Sequence, residues 1–252
     1  MSELPYIVGN WKMHGVRSTL SEARSINRAA ARYPRVQVAL APPATLIHRM
    51  QDVVQQMGVG GQDCHSEETG AHTGDISATM LKDAGADFVI VGHSERRADH
   101  GETDAKVKAK AEAALDAGLT VIVCVGESKT QRDAGNAVKV VTAQVKKSVP
   151  ASKDAAKRLS VAYEPVWAIG TGDVASVDDI AEMHAAIRAE LVKIYGEEGE
   201  SVRILYGGSV KPENAGEILA VKDVGGALVG GASLTAESFT AIFGAVTEER
   251  EE

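Results

Sequence analysis

Short runs of apolar and β-branched residues recur along this chain at intervals of roughly thirty residues, and segments with helical periodicity separate them. The runs are apolar nearly throughout, which is typical of parallel strands covered on both faces. Strands are predicted at Tyr6–Asn10, Val36–Ala41, Val59–Gln62, Phe88–Gly92, Thr120–Val125, Ser160–Tyr163, Val202–Tyr206 and Ala227–Val229. Helices are predicted at Leu20–Arg32, Thr45–Met57, Ser77–Asp83, Asp104–Ala117, Val138–Ser148, Val177–Tyr195, Pro212–Leu219 and Ala236–Val246.

Eight strand–helix units in 252 residues predict one closed (β/α)8 barrel, with residues 1–252 forming a single α/β domain. An open doubly wound sheet also alternates strands and helices. Such a sheet usually has fewer strands, and it carries a glycine fingerprint after the first one. Here the first strand runs into GNWKMHG, which lacks that fingerprint. The closed barrel is therefore the expected fold.

Composition and charge argue against several classes of protein. The formal net charge of −8 disfavours nucleic acid as the main partner, because phosphate backbones attract clustered Lys and Arg. No apolar run approaches the roughly 18 residues of a membrane span, and the start lacks a signal-peptide pattern. Cys64 and Cys124 lie in apolar runs, so buried reduced thiols are expected. We expect a cytoplasmic protein that binds neither nucleic acid nor membranes.

Polar residues and glycines follow five of the predicted strands, at the end where such barrels build their sites. They are Asn10, Lys12, His93, Ser94, Glu95, Glu164, Gly207, Gly208, Ser209, Gly230 and Gly231. A carboxylate can act as a general base, an imidazole can polarise a carbonyl, and a lysine can stabilise an oxyanion. Glycine turns can bind phosphate through backbone N–H groups. This set predicts proton abstraction next to a carbonyl on a small phosphorylated substrate, without metal or cofactor.

Taken singly, each of these residues has an ordinary structural explanation. Glu164 and Lys12 could be surface charges, and His93 could belong to an ion-pair network with Arg96 and Arg97. Two other functions also stay open, a Schiff-base aldolase with Lys12 as nucleophile and a phosphate-binding module without turnover. No obvious activating cation accompanies Lys12 in the sequence, and a binding module would show damage at Glu164, His93 or Lys12.

Five stretches of the chain resemble the triosephosphate isomerase family in their order and spacing. They are GNWKM (Gly9–Met13), GHSERR (Gly92–Arg97), AYEPVWAIGTG (Ala162–Gly172), YGGSV (Tyr206–Val210) and LVGGASL (Leu228–Leu234). The resemblance implies the TIM barrel and the reversible interconversion of dihydroxyacetone phosphate and D-glyceraldehyde 3-phosphate through an enediolate. It also implies a place in glycolysis and gluconeogenesis.

By this resemblance, Glu164 is the base that moves a proton between adjacent carbons of the triose. Neutral His93 is the electrophile, with its pKa lowered by a helix N-terminus; the family is itself a well-known example of this tuning. Lys12 would stabilise negative charge, and Asn10 would help to place the substrate. Glu95 would partner Lys12.

The resemblance also implies how the substrate is gripped and covered. The expected phosphate-binding residues are Gly170, Ser209, Gly230 and Gly231, and Ser94 would hold Glu164 in an open position. A mobile lid is expected over Pro165, Val166, Trp167, Ala168, Ile169, Gly170 and Thr171. An apolar lid suits a charged intermediate, because closure excludes water from it.

The chain departs from the family pattern in several loops. The departures are His14 for Asn, His72 for an aromatic residue, Asp75 for Glu, His100 for Phe and Gly225 for Asp. The family forms a homodimer in which Thr73 would reach toward the partner's site. His14 and His72 fall in the loops that would meet across that interface. This suggests the hypothesis that protonating these histidines, near the reference imidazole pKa of about 6.5, weakens the dimer; the alternative is that both are solvated and have no effect on it.

Overall fold

Eight parallel strands form a closed barrel in the computed structural model, which describes residues 4–168 and 174–248. The strands are β1 (Tyr6–Asn10), β2 (Gln37–Ala41), β3 (Gly58–Gly61), β4 (Phe88–Val91), β5 (Thr120–Val125), β6 (Leu159–Tyr163), β7 (Arg203–Tyr206) and β8 (Gly226–Val229). Each strand pairs with the next in sequence, and β8 pairs with β1, placing Tyr6 beside Gly226 and Val8 beside Leu228. The predicted (β/α)8 fold is confirmed.

Helices surround the barrel and follow its strands. They are α1 (Leu20–Ala30), α2 (Ala44–Gln51), α3 (Ala78–Asp83), α4 (Ser94–Asp99), α5 (Asp104–Asp116), α6 (Lys129–Asp133), α7 (Ala137–Ser148), α8 (Lys153–Ala156), α9 (Val177–Tyr195), α10 (Pro212–Ala220) and α11 (Ala236–Glu248). Ser176 caps α9 by accepting a hydrogen bond from the Asp179 N–H, as its sequence signature indicates. Among the described residues, no helix combines the length and apolarity that crossing a membrane requires.

The prediction of a helix over Thr45–Met57 was wrong at its C-terminal end. The helix stops at Gln51. Beyond it, the N–H groups of Gln55 and Gln56 donate to the Asn27 side-chain oxygen at 3.0 and 2.8 Å, instead of to the helix carbonyls. A contact with a side chain 28 residues away, which no local pattern reveals, therefore ends the helix.

The short helices α4, α6 and α8 were not predicted. Neither α4 nor α6 contains a buried residue, so neither shows the apolar periodicity by which a helix is recognised. The third, α8, is a single turn of four residues. Of these three, α4 matters most, because it begins directly after His93 at the mouth of the barrel.

Alternate residues of the strands fill the inside of the barrel, and the residues between them pack under the helices. The inner cluster consists of Tyr6, Val8, Ala39, Ala41, Phe88, Ile90, Ile122, Cys124, Ala162, Leu205 and Leu228. Side chains two residues apart on a strand share a face. Asn10 follows Val8 at this period, and Glu164 follows Ala162. The alternation therefore directs both residues to the inside of the barrel, at its carboxyl end.

Gly60 on β3 gives Phe88 its place inside the barrel. A Cβ atom at this glycine would lie 2.5 Å from three carbons of the Phe88 ring, which has almost no exposed surface. At Gly58, on the same strand, the nearest atom to an added Cβ would be the Ala39 Cβ at 3.4 Å. The two positions thus differ in packing while sharing a strand.

We expect Gly60→Ala to lower the free energy of unfolding by about 1–3 kcal/mol, because the ring must leave its position to make room. Gly58→Ala is the matched control and should stay close to the native protein. Denaturant midpoints and slopes measured for the three proteins check this. Equal midpoints for both variants would contradict the packing argument.

Candidate active site

Side chains from five strands meet around one cavity of about 260 Å³ at the carboxyl end of the barrel. The lining residues are Asn10, Lys12, His93, Glu164, Ala168, Gly207, Gly208, Ser209, Val210, Lys211, Leu228, Gly230, Gly231 and Ala232. The cavity thus brings together the four residues predicted to be catalytic and three of the four predicted to bind phosphate. The fourth, Gly170, lies outside the described residues.

Glu164 is buried, and its carboxylate is held by two residues that follow β4. Its Oε1 atom lies 2.8 Å from His93 Nε2, and its Oε2 atom accepts a hydrogen bond from the Ser94 N–H at 3.0 Å. The Ser94 hydroxyl also donates to Oε1 at 3.3 Å. Burial raises the pKa of Glu164, but His93, the Ser94 N–H and Lys12 together lower it, and the net direction is downward. The carboxylate is therefore ionised in this arrangement.

His93 caps the N-terminus of α4, and this fixes its tautomer. Its Nδ1 atom accepts a hydrogen bond from the Glu95 N–H at 3.2 Å. In the neutral ring the proton must then sit on Nε2, the atom that faces Glu164. Burial lowers the pKa of His93, but the nearby Glu164 carboxylate raises it, and the net direction is upward. The lowered pKa implied by the resemblance is not seen here, because the carboxylate lies against the ring.

Lys12 occupies a strained turn directly after β1. Its φ of 53° lies in the left-handed region, which costs a non-glycine residue about 1 kcal/mol or more. Asn10 offsets this cost because its Oδ1 atom accepts the Lys12 N–H at 3.0 Å. Gln62 donates to the Lys12 carbonyl at 2.8 Å. The Nζ atom is 2.6 Å from Glu95 Oε1, so the expected partnership of Lys12 with Glu95 is present as an ion pair.

Glycines after β7 and β8 line the part of the cavity where phosphate is expected to bind. At Gly207, a Cβ atom would lie 3.0 Å from the Glu164 Cγ atom, and at Gly208 it would lie 2.2 Å from the Tyr206 hydroxyl. Gly230 and Gly231 begin a 3-10 turn that continues to Ser233. Sequence reasoning missed Lys211, which also lines the cavity and adds a second cation to it. A lysine next to a predicted helix gives no local signal of such a role.

The lid segment begins against a buried carboxylate that sequence reasoning also missed. Glu127 is fully buried, and its Oε1 atom accepts hydrogen bonds from Trp167 Nε1 at 2.8 Å and Tyr163 Oη at 3.1 Å. The Val166 N–H donates to the Glu127 carbonyl at 3.2 Å. In the sequence, only one feature pointed to Glu127: it is a carboxylate at the end of an apolar run, the same pattern that drew attention to Glu164.

The described part of the predicted lid is short. Pro165 leads into a 3-10 turn over Val166–Ala168, in which Ala168 is buried and lines the cavity, and Trp167 is partly buried. Ile169, Gly170 and Thr171 lie outside the described residues. The entry to the lid is thus fixed to the protein through Trp167 and Glu127.

Arg96 and Arg97, which follow His93, form ion pairs with carboxylates of neighbouring segments, whereas His93 itself lies against Glu164. Arg96 pairs with Asp63 at 2.9 Å and with Glu102 at 2.8 Å. Arg97 pairs with Asp104 at 2.8 Å and donates to the Gly92 carbonyl at 2.8 Å. This network holds the turn between β4 and α4, and therefore the position of His93.

The pairing of Glu164 with His93 makes a testable prediction about pH. In Glu164→Gln the carboxylate that raises the pKa of His93 most is lost, and only the Glu95 carboxylate, 3.6 Å from Nδ1, still opposes burial, so the pKa of His93 should fall below its value in the native protein. Imidazole ¹⁵N chemical shifts followed through a pH titration measure this pKa. Glu182→Gln, at an exposed position on α9, is the control. An unchanged or raised pKa of His93 in Glu164→Gln would contradict the account.

Comparison with known proteins agrees with this geometry. The family model described as triosephosphate isomerase matches residues 5–246. The chain is 60% identical over 245 residues to a triosephosphate isomerase of Caulobacter vibrioides, and the match covers 96% of each chain. It is 57% identical over 241 residues to a triosephosphate isomerase of Afipia carboxidovorans, and that match covers 94% of this chain and 96% of the relative. A crystal structure of triosephosphate isomerase from Bartonella henselae superposes with a TM-score of 0.88 at 44% identity, covering 96% of this chain and 98% of that one. The chain therefore belongs to the triosephosphate isomerase family.

Proposed function

We propose that Glu164, His93, Lys12 and Asn10 carry out the family's reaction, the reversible interconversion of dihydroxyacetone phosphate and D-glyceraldehyde 3-phosphate. One observation carries this assignment. A buried carboxylate, an imidazole N–H and a lysine ammonium share one cavity with glycine-rich turns. The arrangement suits proton transfer at one end of a small substrate and phosphate binding at the other.

The substrate phosphate would lie against the backbone N–H groups of Gly230 and Gly231, with Ser209 and Gly170 completing the grip. The carbonyl would then face Lys12 and His93. Glu164 would take a proton from the carbon next to the carbonyl, and the carbonyl would become an enediolate oxygen. The hydroxyl proton of the neighbouring carbon would pass to that oxygen, and return of the abstracted proton to the neighbouring carbon would complete the isomerisation, so the proposed chemistry needs no cofactor.

His93 would donate its Nε2 proton toward the developing oxyanion. The Glu95 N–H supports this role because it occupies Nδ1 and leaves Nε2–H as the donor. Lys12, whose side chain is partly buried, would supply a positive charge to the same oxygen. Asn10 would act by holding the strained Lys12 turn as well as by contacting substrate.

Glu164 must leave His93 and Ser94 before it can reach a substrate carbon. Its pKa is lowered in the present position by those contacts and by Lys12. Once these contacts are broken, burial remains and raises the pKa, which makes the carboxylate a stronger base. The movement would therefore place the base and increase its basicity. Ser94 acts as a positioning residue in this account.

The lid over residues 165–171 would close on the bound triose and exclude water from the enediolate. Its apolar side chains suit that role, because every polar interaction in the closed site then strengthens. Glu127 would hold the first residues of the lid in their present position through the hydrogen bond from Trp167.

The test is a coupled assay that supplies D-glyceraldehyde 3-phosphate and follows reduction of dihydroxyacetone phosphate by NADH. We expect rapid turnover by the native protein and a kcat lower by about 10²-fold or more in Glu164→Asp, because the shorter side chain misplaces the carboxylate. Glu217→Asp makes the same change at an exposed position on α10 and should leave kcat unchanged.

Three outcomes would contradict the proposal. Full turnover in Glu164→Asp would remove Glu164 from the role of base. No turnover by the native protein, with phosphate ligands still bound, would indicate a binding module. Trapping of substrate on Lys12 by borohydride would indicate a Schiff-base aldolase.

We further propose that the protein is a homodimer, with Thr73 near the partner's site. In support, large apolar residues are exposed on two neighbouring segments. In the loop after β1, Met13 and Val16 have 95% and 66% of their surface exposed, and on α3 the exposed fraction of Met80 is 53%. Apolar side chains this exposed favour a protein contact. Thr73 is exposed on the loop between β3 and α3.

We expect Thr73→Arg to shift the protein toward monomer in sedimentation velocity, because a charged side chain would enter the interface without a partner. His14 and His72 are both exposed in the single chain. If they enter the interface, the dimer should dissociate more readily at pH 5.5 than at pH 8. Equal dissociation constants at the two pH values would contradict the histidine hypothesis while leaving the dimer intact.

Two further proposals concern the whole chain. We propose that residues 1–252 form this single barrel domain. We also propose that the protein works in the cytoplasm in glycolysis and gluconeogenesis. Its free cysteines Cys64 and Cys124 are both buried, which suits a reducing compartment.

A further inference from the structure

The backbone of Gly126, directly after β5, is hydrogen-bonded twice by one side chain of helix α7. The Gly126 N–H donates to Gln144 Oε1 at 2.8 Å, and Gln144 Nε2 donates to the Gly126 carbonyl at 3.0 Å. We propose that Gln144 is a positioning residue for Glu164 and for the first residues of the lid, and that it acts through Gly126. The inference rests on the proposed function, in which Glu164 is the base.

The chain after β5 extends beyond the end of the neighbouring strand β4. The pairing of β4 with β5 ends at Val91 and Val123, whereas backbone bonds from the chain after β6 continue as far as residue 127. We call residues 125–127 the β5 extension. Alternate residues of a parallel strand direct their backbone groups to opposite neighbours. Gly126 therefore faces the side where β4 has already ended.

The other side of the β5 extension holds the proposed base and the entry to the lid. The Val125 carbonyl accepts the Glu164 N–H at 2.7 Å, and the Glu127 carbonyl accepts the Val166 N–H at 3.2 Å. The Glu127 carboxylate accepts a hydrogen bond from Trp167 Nε1 at 2.8 Å. Three residues thus fix both the backbone of the base and the start of the lid.

The middle residue of the β5 extension is packed directly against the base. A Cβ atom at Gly126 would lie 1.8 Å from the Glu164 carbonyl oxygen and 3.3 Å from the Glu164 Cβ atom. Because the two backbones touch, a displacement of Gly126 must also move Glu164. A shift of about 1 Å in a catalytic group can lower the rate about 10²-fold. Support for Gly126 is therefore support for the position of the base.

A glutamine side chain can replace the strand that is missing beside Gly126. Its amide carries an N–H donor and a carbonyl acceptor, the same two groups that a strand would offer. In the described part of the chain, Gln144 is the one side chain found to be hydrogen-bonded to the Gly126 backbone. Buried Val141 and Val145 hold α7 in place on either side of it.

One turn further along α7, Ser148 supports the residue that precedes the β5 extension. The Arg97 Nη2 atom donates to the Ser148 hydroxyl and to the Cys124 carbonyl, both at 3.1 Å. Gln144 and Ser148 are four residues apart and share a face of the helix. This face of α7 therefore holds the end of β5 from the side opposite to Glu164.

The first measurement is the isomerase assay on Gln144→Met, which removes both hydrogen bonds at a similar side-chain length. We expect kcat to fall by about tenfold or more, because the base is misplaced. KM should change less, since the glycine turns after β7 and β8 are not altered. Gln56→Met makes the same change at an exposed position and should keep both constants.

The second measurement is the indole ¹H–¹⁵N spectrum without substrate, which a loss of stability alone would not change selectively. The chain has two tryptophans. Trp167 donates to Glu127 of the β5 extension, whereas Trp11 donates to the Ser233 carbonyl at 3.0 Å. Gln144→Met should shift the Trp167 signal and leave the Trp11 signal in place.

Gln144→Asn is the second variant, because its shorter amide cannot reach both groups of Gly126 yet stays polar. Far-UV circular dichroism shows whether each variant is folded. The proposal is overturned if a folded variant keeps the native kcat or an unshifted Trp167 signal. It is also overturned if the Trp11 signal moves as far as the Trp167 signal, which would indicate general loosening.

Failure of the proposed function gives a different result. An inactive native protein, or full turnover in Glu164→Asp, would contradict the proposed function. The indole spectra need no turnover, so a selective shift of the Trp167 signal in Gln144→Met would then still support the positioning by Gln144.

Discussion

The contact of the Glu164 carboxylate with His93 and Ser94 is the interaction on which the rest of the site depends. A carboxylate with 1% of its surface exposed must find partners for its charge, and here three hydrogen bonds from two residues after β4 provide them. The same contacts hold its pKa below the ordinary range, so that the resting group is a weak base. Because burial raises the pKa of Glu164 and its contacts lower it, the basicity of the carboxylate depends on whether it lies against His93 and Ser94.

The barrel maintains this contact through its register and its close packing. The Glu164 N–H donates to the Val125 carbonyl, and the Gly207 N–H donates to the Tyr163 carbonyl, both at 2.7 Å. Gly126 allows the neighbouring backbone to approach, since a Cβ atom there would lie 1.8 Å from the Glu164 carbonyl oxygen. Glu164 therefore has a fixed backbone, and the freedom that the proposed mechanism needs is left to its side-chain torsions.

Sequence reasoning located the strands to within one residue at either end, because strands buried on both faces leave uninterrupted apolar runs. It did not find α4 or α6, since neither buries a side chain. The polar residues of the site were identifiable because a closed barrel brings all strand ends to one rim. Glu127 was not identified, because its importance comes from the lid residues that fold onto it. The roles of the individual residues came from resemblance to a family. The pKa of His93 is raised where the resemblance implied a lowered one, because the Glu164 carboxylate lies against the ring.

The most direct test of this account is a crystal structure with a two-carbon phosphorylated carboxylate, which imitates the charge and shape of the enediolate. The measurement is the distance from the Glu164 carboxylate to His93 Nε2 and to the Ser94 nitrogen. The account predicts that both distances exceed about 3.5 Å and that the carboxylate instead contacts the ligand carbons. A carboxylate that stays hydrogen-bonded to His93 and Ser94 in a fully occupied site would contradict it.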